Sequence, residues 1–431
     1  MSMSVRRAFR YVVVPFLVLT ALGSLTFYFV HWVSSRNGLK LASIVVAAEP
    51  SALAWSPDGS YLAVGTMNSS RTRYGGIHAV GGNEPEGPGK VFIVDIGTES
   101  VTATIETVLG VTALAFSPDG RWLSVATRDF GAGKAEAELV VFAVPEFAPR
   151  HRAKSSGAKP GYFQDLAWGA DSKSLHAIDH GPEKGANVRR WTVPEFVEQR
   201  AISIDSGQID ALAAAPDGLT VVVVQHKGTA NGAEQGTVTL RLFNLEKGTE
   251  IWSCKEDPFG SDLMLHFDPG PVGFTADSKA VGVLRPAYFR NIGGRWGKAN
   301  IGGKPQWVSW WDVGTGKAAQ PAQARFAVQP ASLAESRDQA LAPDFRTWAS
   351  AWNGQGAGRS GMDSPEAGVH LSQSDPVRDW YWDFEKMGCQ LRGNLWAIPG
   401  PPALAFSPDG KKLAGALRLP SGWTIAIWAI P

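Results

Sequence analysis

The chain has 431 residues, with 41 basic against 40 acidic side chains and a formal net charge of +1. That balance excludes nucleic-acid binding driven by bulk charge, and a hydrophobic content of 44% excludes wholesale disorder. Two cysteines exclude a disulfide-stapled scaffold, an iron–sulfur protein and a multi-cysteine zinc site.

The first element is apolar. Positions 11–32 contain no Asp, Glu, Lys or Arg. As a helix they would extend roughly 33 Å, enough for a bilayer core of about 30 Å. Arg6, Arg7 and Arg10 precede the run, and Arg36 and Lys40 follow it. This small bias favours an inside N-terminus and an outside C-terminal part. Tyr28, His31 and Trp32 stand where interfacial aromatics belong. A cleaved signal peptide is the rival reading, with Ala21-Leu22-Gly23 as its small-x-small site. The apolar run continues nine residues past Gly23, which favours an uncleaved anchor. The expected division is a tail at 1–10, a transmembrane helix at 11–33, a linker at 34–40 and one folded domain at 41–431.

Beyond the linker a phrase recurs. It reads Ala52-Leu-Ala-Trp-Ser-Pro-Asp-Gly59, Ala113-Leu-Ala-Phe-Ser-Pro-Asp-Gly120 and Ala403-Leu-Ala-Phe-Ser-Pro-Asp-Gly410. Looser copies carry Asp171, Asp217, Asp277 and Asp344 at the same place, so seven turn aspartates stand 46 to 67 residues apart. The physics is legible. An apolar run makes a buried strand, Pro presets φ, Asp bonds its own backbone, Gly takes φ > 0, and a second apolar strand returns. Asp58, Asp119, Asp217, Asp277 and Asp409 are therefore assigned a structural role in turns. A third strand follows each hairpin after a variable gap, as at 91–95, 241–245, 310–313 and 382–384, and a fourth follows that, as at 100–106 and 197–204. Four short strands per unit at this period predict an all-β, seven-bladed β-propeller with one N-terminal transmembrane helix.

The Ser-Pro-Asp-Gly hairpins and the Trp311-Asp312 and Trp382-Asp383 pairs resemble bacterial WD-repeat and TolB-like β-propellers over about residues 41 to 431. The Gly-His dipeptide of strict WD repeats is absent. The last unit supplies three strands, so strand 41–47 is expected to close it and remove an open edge. The resemblance implies that the Pro-Asp-Gly turns share one face with the turns between third and fourth strands. That face is expected to lie nearer the bilayer, with the longer gaps projecting from the opposite face. The apolar run and its charge bias, on a bacterial propeller, give the expectation of a single-pass protein of the bacterial inner membrane, N-terminus cytoplasmic and propeller periplasmic.

Surplus length falls in three insertions, 67–89, 286–305 and 353–377; loops this long are commonly functional. The second is one-signed. Arg285, Arg290, Arg295, Lys298 and Lys304 occur with no acid before Trp311, accompanied by Tyr288, Phe289 and Trp296. Aromatic residues and arginine are what interfaces concentrate. Partner-contact candidates are therefore Arg285, Tyr288, Phe289, Arg290, Arg295, Trp296 and Lys298, with Arg71, Arg73 and Tyr74 in the first insertion and Arg378 and Trp380 at the end of the third. The bland reading is a set of solvated loops with core tryptophans at their strand ends.

No catalytic constellation is visible. His176 and His180 bracket Asp179 without a third ligand, so a packing pair is expected rather than a metal. Ser156-Gly-Ala-Lys159 lacks the companion motifs of penicillin-recognising enzymes, and no Gly-x-Ser-x-Gly elbow exists. Cys254 and Cys389 fall in non-neighbouring units, so no disulfide is expected. The expectation is a non-catalytic accessory or scaffold subunit of a membrane protein complex, for example respiratory or photosynthetic. It would need no cofactor or metal, touch lipid through 11–33 and bind no nucleic acid. The alternatives are a propeller enzyme or ligand binder using the central channel, and a Tol-like envelope interaction protein.

Overall fold

The computed structural model describes residues 40–46, 49–67, 88–128, 136–155, 161–180, 185–204, 208–227, 237–256, 272–284, 288–290, 296–298, 308–319, 339–342, 347–352, 368–374, 377–383, 404–419 and 422–430. All helices and strands assigned among them are β-strands. The expected membrane span at 11–33 lies outside the described residues. Among the described residues no helix is long and apolar enough to cross a membrane.

The chain enters as β1 (Lys40–Val46) and then builds sheets from consecutive hairpins. Sheet 1 is β2 (Glu49–Trp55), β3 (Tyr61–Met67), β4 (Lys90–Asp95) and β5 (Ser100–Glu106). Sheet 2 is β6 (Gly110–Phe116), β7 (Trp122–Arg128), β8 (Glu138–Ala143) and β9 (Ala148–Lys154). Sheet 3 is β10 (Tyr162–Trp168), β11 (Ser174–His180) and β12 (Ala186–Thr192), with β13 (Val197–Glu198) and β14 (Ile202–Ile204) both on the outer edge of β12. Sheet 4 is β15 (Gln208–Ala214), β16 (Thr220–Lys227), β17 (Thr237–Asn244) and β18 (Thr249–Glu256). In sheet 5, β19 (Val272–Phe274) and β20 (Ala280–Leu284) are followed by a separate ribbon of β21 (Tyr288–Arg290) and β22 (Trp296–Lys298) before β23 (Val308–Asp312) completes the order. Sheet 6 is β24 (Gln339–Leu341), β25 (Thr347–Trp352), β26 (Gly368–Ser374) and β27 (Val377–Asp383). Sheet 7 is β28 (Leu404–Phe406), β29 (Lys412–Leu419) and β30 (Gly422–Ala429), with β1 as its outermost strand. Every pairing within these sheets is antiparallel, including β1 on β30 from Lys40 opposite Trp428 to Val46 opposite Trp423.

Two expected strand positions are corrected. The stretch 197–204 is not one strand but two, split where the Gln199 N–H bonds the Arg190 carbonyl at 2.8 Å. The third strand of sheet 6 is β26, and Trp382-Asp383 lies on the outermost strand. The alternation Gly-Val-His-Leu-Ser-Gln-Ser within the supposed 353–377 insertion is itself strand-like, but the aromatic run after it carries the louder signal. Trp311-Asp312 does end a third strand, as expected.

The innermost strands touch in succession, β28 to β2, β2 to β6, β6 to β10, β10 to β15 and β15 to β19, and β24 touches β28. Apolar side chains fill the seams. Ile44, Val46, Ile425 and Ile427 of sheet 7 pack with Leu53, Trp55 and Phe92 of sheet 1. Phe163, Leu175 and Trp191 of sheet 3 pack with Ala113, Leu139 and Val141 of sheet 2. Tryptophan suits such seams because its body is apolar and its N–H can reach a neighbour. Trp55 Nε1 donates to the Ala405 carbonyl across sheets 1 and 7 (3.1 Å). Trp168 Nε1 donates to the Ala115 carbonyl across sheets 3 and 2 (3.2 Å). Trp252 Nε1 donates to the Val313 carbonyl across sheets 4 and 5 (2.7 Å).

Candidate functional site

The Ser-Pro-Asp-Gly turns close as their residue types require. In the first, Asp58 Oδ1 accepts the Ser60 N–H (3.0 Å) and the Ser56 hydroxyl (2.6 Å). Asp119, Asp277 and Asp409 repeat this with Ser117, Thr275 and Ser407. Asp217 keeps only the backbone bond, from Leu219, because Ala215 stands in the serine position. Partial burial pushes up the carboxyls of Asp58, Asp119 and Asp409, but the donated hydrogen bonds outweigh it and hold them below the usual range. At Asp277 the Thr275 hydroxyl leads in the same direction. These carboxylates are engaged in holding turns, which is a structural task.

Among the described residues, two turns carry serine where four have glycine. Gly59, Gly120, Gly218 and Gly410 sit at φ of 68 to 72°, while Ser172 and Ser278 hold φ of 60 and 57°. A side chain is strained there. Each serine also makes a bond that glycine cannot: Ser172 Oγ accepts the Asp119 N–H (3.0 Å) and Ser278 Oγ accepts the Asp217 N–H (3.1 Å). Turn is thus tied to turn across neighbouring sheets.

The third-strand turns share this face. In six of the sheets the first residue after the third strand donates its N–H to the carbonyl of the residue after the turn glycine or serine: Ile96 to Ser60, Val144 to Arg121, Val193 to Lys173, Leu245 to Leu219, Val313 to Lys279 and Ile430 to Lys411. The insertions leave from the other end of the strands, the loop face.

The structure brings five of the candidate contact residues onto one ribbon. Tyr288 stands opposite Lys298, Phe289 opposite Gly297 and Arg290 opposite Trp296. Arg378 and Trp380 lie not in a loop but on β27, the outer strand of sheet 6. Arg71, Arg73, Tyr74, Arg285 and Arg295 lie outside the described residues, as does Cys389. Cys254 lies on the outer strand β18, opposite Leu240.

His176, Asp179 and His180 belong to a polar core in sheet 3 whose other members, Arg189 and Ser155, the sequence reading does not single out. Strand β11 is buried along its whole length, yet it carries His176, Asp179 and His180. The Asp179 carboxylate accepts from the Ser155 hydroxyl and from Arg189 (3.1 Å). Arg189 also forks onto Glu198 (2.7 and 2.8 Å) and bonds the Lys154 carbonyl (2.6 Å). Only a glycine fits at 161, since a Cβ there would collide with the His180 carbonyl and the Ser155 hydroxyl. The Arg128 guanidinium lies 3.8 Å from the Tyr162 ring centre, and His180 stacks on that ring at 4.7 Å. His180 Nε2 donates to the Ile209 carbonyl (3.0 Å), whereas His176 Nε2 meets Ser174 Oγ (3.1 Å). The two histidines therefore serve different contacts. Among the described residues no group of three His, Cys, Asp or Glu could hold a metal ion. Burial, then the charge of Arg190, pulls the His176 pKa down to about 3.

The inner strands bear a second polar series. At a bulge in each, Ser51 Oγ donates to the Val111 carbonyl (2.7 Å) and Thr112 Oγ1 to the Phe163 carbonyl (2.9 Å), joining sheets 1 to 2 and 2 to 3. Between sheets 3 and 4 the joint is a carboxylate. Asp165, buried in the β10 bulge, accepts the Leu166 N–H (2.8 Å) and the Leu212 N–H (3.0 Å). Burial raises its pKa to about 7 against those two bonds. The signal was available, because Asp165 stands where four other copies have Ala52, Ala113, Ala211 and Ala403.

Comparison with known proteins agrees with this architecture. Residues 102–131 match the WD domain, G-beta repeat family. The β-propeller domain of Myceliophteria thermophila Cps50 (Swd1) is similar at 13% identity and a TM-score of 0.52, over 90% of this chain and 100% of that one. Kuenenia stuttgartiensis hydrazine synthase is similar at 15% identity and a TM-score of 0.50, over 88% and 97%. No curated protein sequence matches the chain. The fold is an all-β propeller, and the WD-repeat match falls on residues 102–131.

Proposed function

We propose that this protein is a non-catalytic, membrane-anchored propeller of seven blades, one for each of the seven sheets, that serves as an accessory scaffold subunit of a membrane protein complex. Residues 11–33 would anchor it in a bacterial inner membrane with the propeller in the periplasm. The observation that carries the reading is the β21–β22 ribbon. It gathers Tyr288, Phe289, Arg290, Trp296 and Lys298 on one short element inserted between two strands of a blade. The stretch around it has five cations and no acid between Arg285 and Trp311, so the partner surface it suits is acidic and apolar. The engaged turn carboxylates support a binding role over an acid–base one.

The test is co-purification of the tagged full chain from native membranes in mild detergent. Wild type is expected to retain a stoichiometric membrane partner. The Arg290→Glu, Lys298→Glu double variant is expected to lose at least ten-fold of it while keeping the wild-type thermal midpoint. Equal retention by the variant would overturn the ribbon as the docking element, and a monomer with no partner would overturn the scaffold reading.

A further inference from the structure

The turn face carries a second feature, independent of the ribbon. Among the described residues six large apolar side chains are exposed: Val45, Val101, Val108, Val197, Leu219 and Ile251. Four of them gather at the turn end. Val101, Val197 and Ile251 fall within the first three positions of the outer strands β5, β13 and β18, each of which starts from that face. Leu219 lies in the turn itself and is 48% exposed. Two residues past the turn aspartate, five other copies carry Ser60, Arg121, Lys173, Lys279 and Lys411. A ring of hydrophilic positions is thus interrupted by one exposed leucine.

Three of the four, Val197, Leu219 and Ile251, belong to the adjoining sheets 3 and 4. The Leu245 N–H bonds the Leu219 carbonyl (2.8 Å), which ties the two turns of sheet 4 together. A Cβ at Gly248 would meet Arg200 Nε of sheet 3 at 3.5 Å, so the segment after Val197 abuts the turn that leads to Ile251. The turns of sheets 3 and 4 on this face also carry Lys173, Glu195, Glu246 and Lys247, with Arg200 just past β13, all exposed. An apolar patch rimmed by side chains that can extend towards water is the pattern of a surface seated at a lipid interface.

The chain also enters the propeller at this face. Lys40 stands opposite Trp428, and the next bond along, from Ile430 to Lys411, closes onto a Ser-Pro-Asp-Gly turn. Residues 33–39 join Lys40 to the apolar run at 11–32 and reach at most about 25 Å when extended. A span ending at residue 32 therefore keeps the turn face, not the loop face, close to the bilayer.

We infer that the turn face lies against the same bilayer that holds residues 11–33, with Val197, Leu219 and Ile251 seated in its interfacial layer as a second attachment opposite the anchor. This rests on the anchor reading above. It leaves the loop face and its ribbon directed away from the membrane, towards the periplasmic parts of a partner.

The test uses the full chain in nanodiscs of phosphatidylcholine and phosphatidylglycerol, with Cys254→Ser and Cys389→Ser as background and one nitroxide per variant. Labels go on Leu219→Cys, Ile251→Cys, Val108→Cys on the loop face, and Leu22→Cys within the apolar run. The readout is the ratio of collision with oxygen to collision with a water-soluble nickel chelate. A ratio at 219 and 251 at least three-fold above that at 108 supports the inference. Equal ratios at 219, 251 and 108, with 22 in lipid, overturn it and leave the anchor standing. They would also be the outcome if a protein, rather than lipid, covers this face in the cell. A water-exposed label at 22 overturns the anchor and the inference with it.

Discussion

Asp165 offers the sharpest test of the packing argument. Its carboxyl is held protonated to about pH 7 in the fold, while in the unfolded chain it ionises near 3.8. Between those values the unfolded state binds fewer protons than the folded one, so stability falls as pH rises through the window and is flat above it. About three pH units correspond to roughly 4 kcal/mol. Asp165→Ala restores the residue found in four other copies and removes this slope. It leaves the Leu166 and Leu212 N–H groups without their acceptor, at about 1–3 kcal/mol each at every pH. The variant should therefore be clearly less stable than wild type at pH 4.5 and should approach or pass it at pH 8. For a domain of roughly 390 residues, 4 kcal/mol is a relative swing of about 5 °C in thermal midpoint. Thermal unfolding of the detergent-solubilised full chain at pH 4.5, 6 and 8 measures it. If the two melting curves shift in parallel with pH, burial does not control this carboxyl and the reasoning fails.

Other outcomes follow from the same geometry. His176 is held neutral, with its pKa lowered to about 3 from 6.5, so its contribution is complete above pH 6.5 and is lost as pH falls towards 3. His176→Phe should flatten the acid limb of the stability profile, the opposite of Asp165→Ala. Ile44 is 7% exposed and its neighbour Val45 is 55% exposed. Ile44→Ala should cost about 3 kcal/mol in denaturant unfolding, whereas Val45→Ala should stay within about 0.5. Equal losses would mean β1 does not seal sheet 7. Arg189→Met removes the cation paired with the buried Asp179 carboxylate and should cost about 3–5 kcal/mol. Adding Asp179→Asn should recover most of the loss in a double-mutant cycle.

The hairpins were readable because Ser-Pro-Asp-Gly writes its geometry into four residues whose preferences are local: a fixed φ, a side-chain acceptor and a position for φ > 0. Where the phrase decays the reading weakened. Sheet 6 keeps no Ser-Pro-Asp-Gly, and its third strand β26 has no marker but polar alternation, so Trp380-Tyr381-Trp382 draws the third-strand assignment one strand too late, onto β27. The polar core of sheet 3 was not legible from β11 alone. His176, Asp179 and His180 read as a packing pair around an aspartate with no partner assigned until β12 supplies Arg189 opposite Ala177, which puts its guanidinium within reach of Asp179. That pairing depends on register, and register is set by distant packing rather than by local sequence.

The inner-strand joints carry the argument from fold to behaviour. Ser51 and Thr112 donate neutral hydroxyls to carbonyls of the next sheet, so the joints between sheets 1 and 2 and between 2 and 3 do not change over the physiological pH range. The joint between sheets 3 and 4 accepts N–H groups with a carboxyl that titrates near neutrality. Ionisation there places a charge in a buried site where its hydrogen bonds are the two backbone N–H groups of Leu166 and Leu212, so the strain of raised pH falls on one seam and not on the ring as a whole. Amide exchange at Leu212 should accordingly quicken between pH 6 and 8 by more than the tenfold per unit expected from chemistry alone, while the amides of Val111 and Phe163, beside the hydroxyl joints, should follow chemistry. Uniform acceleration at all three would mean the seams respond together and that a carboxylate joint confers nothing a hydroxyl does not.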